Sequence, residues 1–192
     1  MSLILASNSQ IRRMMLEQAG LAFEVRSPAF DEERVKLAGC EGEALARMLA
    51  EGKAASVDAD RKDWVIGSDS TVMVEGRRYS KPRDRDEAAA HLRAFSGRTM
   101  LLSSAVALAR RGQVEWRHAE TARLQVRPLT DAFIESYLDR EWPDVGHCVG
   151  VFRMEGRGVT LFDKVEGSHF TILGMPLIPL LGALRERGLM AS

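Results

Sequence analysis

Apolar and polar positions along the chain follow two periods, one for strands and one for helices. Residues 3–6, LILA, form a short apolar run that reads as a buried strand. Ser9 then stands as a helix N-cap, with Ile11, Met14 and Met15 at helical spacing and Gly20 as the stop. Residues 23–26 alternate apolar and charged, which predicts a second strand. After the acidic segment FDEERVK comes a helix over about residues 43–56. Two apolar, β-branched runs, residues 64–66 and 71–74, predict strands on either side of a polar interruption, GSDS. EGRRYSKP reads as turn and loop. Asp84 and Glu87 then have capping-box spacing for a helix through Ala88, Leu92 and Phe95.

Residues 99–109 and 114–126 predict long strands joined through RRGQ. Thr130 or Asp131 opens a helix through Tyr137 and Leu138, and WPDVGHC is a loop. Residues 149–154 and 159–165 predict a pair of strands joined by EGRG, and residues 170–173 another short strand. Pro176 opens a last helix that Gly188 ends. Helices mixed with long hairpins predict an α/β fold on a mixed sheet. No repeat, low-complexity tract or linker breaks the pattern, so one domain over residues 1–192 is expected.

Charge narrows the partners. The 27 basic and 27 acidic side chains cancel, so no global field holds a polyanion and a nucleic-acid polymer is not expected. Cys40 and Cys148 stand alone, as free thiols do in a reducing compartment. The start MSLILAS lacks a basic n-region and a full h-region, so no signal peptide is expected. The longest apolar stretch, residues 170–184, is short for a bilayer span and carries Pro176 and Pro179. The expectation is a soluble cytoplasmic protein with no membrane partner.

Several residues stand out against this background. Arg12 and Arg13 occupy a first helical turn, where the macrodipole repels cations. With Ser7, Ser9 and free backbone N–H groups they read either as a phosphate cradle or as solvated surface arginines. Lys53 continues the row Leu45, Leu49, either facing inward or snorkelling out at the helix end. Asp69 lies between two apolar runs, with small neighbours Gly67, Ser68 and Ser70. It is either a hairpin-turn residue or a carboxylate placed as a metal ligand or general base. Lys81, held extended by Pro82, either returns to the Asp69 cleft or is an ordinary loop lysine. Asp31, Glu32 and Glu33 form either a Mg²⁺-binding acidic patch or a solvated face. The four histidines show no metal-ligand spacing, and no P-loop, GxSxG or GxGxxG is present. Taken together, two arginines, two lysines, an isolated carboxylate and an acidic patch suit a metal-bound polyphosphate.

These residues resemble, in order and over nearly the whole chain, the motifs of the Maf family of nucleoside triphosphate pyrophosphatases. LILASNSQIRRMML is similar to the family's opening, although the usual proline before the arginines is absent. FDEE, the lysine of EGKA, and VIGSDSTVMVEGRRYSKP match further motifs, with Ser80 in place of the usual glycine. AFSGRTMLLSSAVAL and HCVGVFRMEGRGVTLFDKVEGSHFTILGMPL match the rest. The resemblance implies an elongated, two-lobed, inosine-triphosphatase-like α/β fold with an active-site cleft between lobes. It also implies a divalent cation, Mg²⁺ or Mn²⁺, and, since dimers are common in the family, a homodimer. Asp69 falls on the catalytic aspartate and, with Glu32, is expected to hold the metal. Ser7, Arg12, Arg13, Lys53 and Lys81 are expected to bind the triphosphate, and Glu155 to read the base. One branch acts on dTTP and UTP, with threonine after the aspartate and glutamine at the position of Glu155. Another acts on 7-methyl-GTP, with glutamine and glutamate there. Ser70 matches neither, and Glu155 resembles the second. The alternatives are a dTTP/UTP pyrophosphatase, an enzyme of the inosine triphosphate type, and a non-catalytic nucleotide-binding regulator of septum formation.

Overall fold

A computed structural model describes residues 2–36 and 39–190. Met1, Leu37, Ala38, Ala191 and Ser192, which the one-domain expectation takes in, lie outside the described residues. One mixed sheet holds seven strands: β1 (Leu3–Ala6), β2 (Glu24–Val25), β3 (Trp64–Val74), β4 (Arg77–Tyr79), β5 (Thr99–Arg110), β6 (Gln113–Val126) and β7 (Phe162–Glu166). Their order is β2-β1-β3-β5-β6-β7, and β4 also pairs with β3. β1 runs parallel to β2 and β3, and the other pairs are antiparallel. The helices are α1 (Gln10–Gln18), α2 (Glu32–Lys36), α3 (Gly42–Ser56), α4 (Arg85–Phe95), α5 (Asp131–Glu141), α6 (His169–Leu173) and α7 (Leu177–Glu186). Asp84 caps α4 by accepting the Glu87 N–H at 2.8 Å, and Thr130 caps α5 from the Phe133 N–H. No helix among the described residues is long and apolar enough to cross a membrane.

β3 and β5 are long enough to serve two cores. Trp64, Ile66, Val106 and Leu108 pack with Met15 and Leu16 of α1 and Leu180 and Leu184 of α7. The other ends of the same strands, Val72, Val74, Met100 and Leu102, pack with Leu92 and Phe95 of α4 and Ile134 and Leu138 of α5. Between these two apolar bodies lies a polar belt, Ser68, Asp69 and Ser70 on β3 and Ser103 and Ser104 on β5.

The structure corrects four local readings. GSDS does not divide two strands, because β5 pairs continuously with β3 from Val65 to Val74. The polar break marks the boundary between cores, not a break in the ladder. Arg77–Tyr79, read as loop, is β4. Residues 149–154 do not form a strand: Val151 has φ +56°, and Arg157–Leu161 is a 3-10 turn packed against Arg153. Residues 170–173 are helical within α6, which ends at Gly174 with φ +111°. An apolar run of four residues carries no period that separates strand from helix.

Candidate functional site

β5 covers one edge of β3, so β1 and β4 share the other. β1 reaches Gly67 and β4 begins at Val72, which leaves residues 68–71 facing a gap in that edge. Asp69 Oδ1 accepts the Ser70 backbone N–H at 2.7 Å and so satisfies a donor beside the gap. Because β1 is parallel to β3, the residue 7–9 loop and the positive end of α1 emerge at the same place.

Gly67 brings α3 down onto this site. A Cβ on Gly67 would lie 2.2 Å from the Ala50 carbonyl oxygen and 2.4 Å from the Ala54 nitrogen. Only a glycine lets helix and strand backbones approach that closely. The buried row Leu45, Leu49, Lys53 then carries Lys53 over Asp69. Its Nζ lies 2.7 Å from Asp69 Oδ2 and 2.8 Å from Glu32 Oε1. The approach to Oδ2 falls outside hydrogen-bond directions, so that buried oxygen has a charge partner but no hydrogen-bond donor. Glu32 comes from α2, and Phe30 just before it seats its ring against Gly52 of α3, where a Cβ would fall 2.1 Å from Cζ.

Arg12 closes the site from α1. It is buried, and its guanidinium donates to Gly174 O at 2.9 Å, Ser7 Oγ at 3.4 Å and Ser70 Oγ at 3.1 Å. Ser70 Oγ in turn lies 2.8 Å from Ser104 Oγ. A guanidinium has about five N–H donors, so Arg12 keeps donors free for an anion. Burial pulls its pKa below the ordinary value, and the charges of Asp69 and Glu32 push back.

The expected residues are therefore gathered unequally. Ser7, Arg12, Lys53, Glu32 and Asp69 form one connected set. Arg13 leaves it: neighbouring helical residues point about 100° apart, and Arg13 is exposed and paired with Glu17 at 2.7 Å. Lys81 and Glu155 are exposed, and neither joins the ion pairs around Asp69 among the described residues. They share a different neighbour, Cys148. Burial and the Glu155 charge push its thiol up to about 11, against the opposing charges of Lys81 and Arg153. Sequence reasoning missed Gly174, whose carbonyl anchors Arg12. It noted Ser70 without seeing that the hydroxyl braces Arg12.

Among the described residues no three His, Cys, Asp or Glu side chains gather as a protein-only metal cage. Two carboxylates do converge, since Asp69 Oδ2 and Glu32 Oε1 meet on one ammonium. One or two carboxylates are what Mg²⁺ takes when substrate phosphates and water supply its other oxygens. The donor set, the Glu32 and Asp69 carboxylates, fits such an ion. An open cavity of about 690 Å³, lined by Val57, Asp58, Arg61 and Arg111, contains none of these side chains. Charge and hydrogen bonding, rather than concavity, mark the site.

Burial raises the Glu32 pKa, but the hydrogen bond and charge of Lys53, joined by Lys36, outweigh it, and the net shift is downward. The unfolded chain then holds this proton more readily than the folded one. Glu32 contributes stability above the ordinary glutamate value of 4.5 and loses it as the pH falls through the lower folded value. Glu32→Gln is expected to flatten the acid limb of the urea midpoint against pH. An acid limb identical to that of the unsubstituted protein would refute this coupling.

The Maf-like protein family profile matches residues 2–187. Over 191 residues the chain is 47% identical to a 7-methyl-GTP pyrophosphatase of Rhizobium meliloti (strain 1021), covering 97% of this chain and 96% of that protein. It is 45% identical over 189 residues to a nucleoside triphosphate pyrophosphatase of Caulobacter vibrioides, covering 96% and 94%. A nucleoside triphosphate pyrophosphatase of Nitrobacter winogradskyi is 42% identical over 193 residues, covering 98% and 95%.

Proposed function

The chain belongs to the Maf-like protein family, and from that membership we propose that it hydrolyses a nucleoside triphosphate to the monophosphate and pyrophosphate, with 7-methyl-GTP preferred. The observation that carries the reading is Asp69, a carboxylate whose buried Oδ2 meets the Lys53 ammonium at 2.7 Å and whose charge also acts on Arg12. An anion-binding protein gains nothing from a carboxylate beside its anion. A hydrolase does, because Oδ2 accepts the proton of the attacking water. The water oxygen bonds to the α-phosphorus, the bond to the α–β bridging oxygen breaks, and pyrophosphate leaves with that electron pair. Lys53 and the free donors of Arg12 face the negative charge that grows on the leaving group. Arg13, in an exposed and weak pair with Glu17, and the exposed Lys81 stay outside this inner set.

The inner set is neutral as it stands, with Arg12 and Lys53 balancing Glu32 and Asp69. A triphosphate entering it brings negative charge that the set does not cover. Glu32 and Asp69 would hold Mg²⁺ or Mn²⁺. When bound, that ion would supply the missing charge and polarise the phosphate oxygens. For the base, the Glu155 carboxylate accepts from the guanine N1–H and N2 amino edge and favours the positive charge of a 7-methylated ring. The relatives named 7-methyl-GTP pyrophosphatase support that choice. The free thiols of Cys40 and Cys148 accord with a cytoplasmic setting.

The test is a panel of dTTP, UTP, CTP, 7-methyl-GTP, GTP, ITP and XTP with Mg²⁺ or Mn²⁺, following pyrophosphate and monophosphate. Turnover is expected to be fastest with 7-methyl-GTP, and EDTA is expected to abolish it. Triphosphate binding without pyrophosphate release from any base would favour a regulator. Fastest turnover of dTTP or UTP would overturn the base assignment alone.

A further inference from the structure

Residues 153–157 read Arg-Met-Glu-Gly-Arg, and both arginines reach back to one carboxylate. Glu141, the last residue of α5, is only 6% exposed. Its Oε2 lies 3.2 Å from Arg153 Nη2, and its Oε1 4.0 Å from Arg157 Nε. Arg153 Nη1 also lies 2.9 Å from Asp144 Oδ2. The backbone tightens the same turn. Gly156 N–H donates to Arg153 O at 3.1 Å, and a Cβ on Gly158 would fall 2.4 Å from that oxygen. Tyr137, one helical turn before Glu141, donates from its hydroxyl to Val151 O at 3.0 Å. It thereby holds a β-branched residue in a left-handed conformation that such residues rarely adopt.

Glu155 stands at the exposed tip of this turn, two residues from an arginine on each side. Those guanidinium groups are its natural partners by proximity. Glu141 and Asp144 hold Arg153 instead, and Arg157 comes no closer to Glu141 than 4.0 Å. We propose that Glu141 is a positioning residue for base recognition: by engaging Arg153 it keeps that guanidinium from pairing directly with Glu155, whose carboxylate stays open to the nucleotide base. A cationic base gains from such a carboxylate only while no internal cation covers it. The inference rests on the reading of Glu155 as the group that meets the base.

The experiment measures kcat and KM for 7-methyl-GTP and GTP in Glu155→Gln, Glu141→Gln and the double variant, with thermal midpoints alongside. Glu155→Gln is expected to lower the 7-methyl-GTP to GTP ratio of kcat/KM. Glu141→Gln is expected to lower the same ratio by about tenfold, the scale of one competing charged hydrogen bond. Most of that change should lie in the KM for 7-methyl-GTP, and the double variant should fall no further than Glu155→Gln. Equal losses on both substrates, or an unchanged ratio, in Glu141→Gln would overturn the positioning role. If Glu155→Gln itself leaves the ratio unchanged, the reading of Glu155 fails and the positioning role goes with it. Should Glu141→Gln not fold, Asp144→Asn releases Arg153 from its more exposed partner. It must shift the ratio in the same direction, and an unchanged ratio there also overturns the proposal.

Discussion

Asp69→Asn is expected to lower kcat by roughly 10²–10⁴-fold, the usual contribution of a positioned general base. The substitution keeps the shape of the side chain and an oxygen for the Ser70 N–H. It removes the negative charge and the proton acceptor at Oδ2. Lys53 then keeps Glu32 as its one carboxylate partner, and Arg12 loses part of the field that offsets its burial. Both cations become more available to phosphate, so triphosphate binding should hold or tighten while turnover collapses. Calorimetric titration with a non-hydrolysable analogue, beside single-turnover kinetics, separates the two quantities. A variant that binds and turns over like the unsubstituted protein would remove Asp69 from the chemistry.

The row Leu45, Leu49, Lys53 on one helical face left Lys53 either facing inward or snorkelling out at the helix end, and the structure decides for the first by burying all three. The same rule discriminates between Arg12 and Arg13. Arg12 is three and four residues from Met15 and Leu16, both buried, so it turns in with them. A helical face drawn through Ile11, Met14 and Met15 obscured that phase. GSDS marked the right place for the wrong reason. Its polarity signalled the seam between two cores, whereas strand continuity is set by the ladder with β5, which lies some 35 residues on and leaves no mark on these four residues. Gly174 was out of reach for a similar reason. It meets Arg12 through a carbonyl, 162 residues away, and a backbone acceptor has no side-chain signature. The turn around Glu155 was misread as a hairpin because the buried Glu141 that shapes it lies on a preceding helix.

Gly67→Ala is the second large effect expected, and it separates the scaffold from the chemistry. The new Cβ would overlap backbone atoms of Ala50 and Ala54, which have no rotamer through which to escape. α3 must lift from β3 by about an ångström or more, since close-packed interiors leave no slack. Overpacking of this kind costs about 1–3 kcal/mol, so the thermal midpoint should drop clearly. Lys53 rides on the displaced helix and moves relative to Asp69, and a misplacement of that size costs roughly 10²-fold in rate. Gly52→Ala is the matched control on the same helix. There the added methyl meets only the far end of the Phe30 ring, which can swing aside, so the loss in stability should be smaller. If Gly67→Ala retained both its midpoint and its kcat, the close approach of α3 to β3 would not be what places Lys53. A lowered midpoint with an unchanged kcat at a permissive temperature would show that Lys53 and Asp69 find each other through their charges even when the helix beneath them has moved.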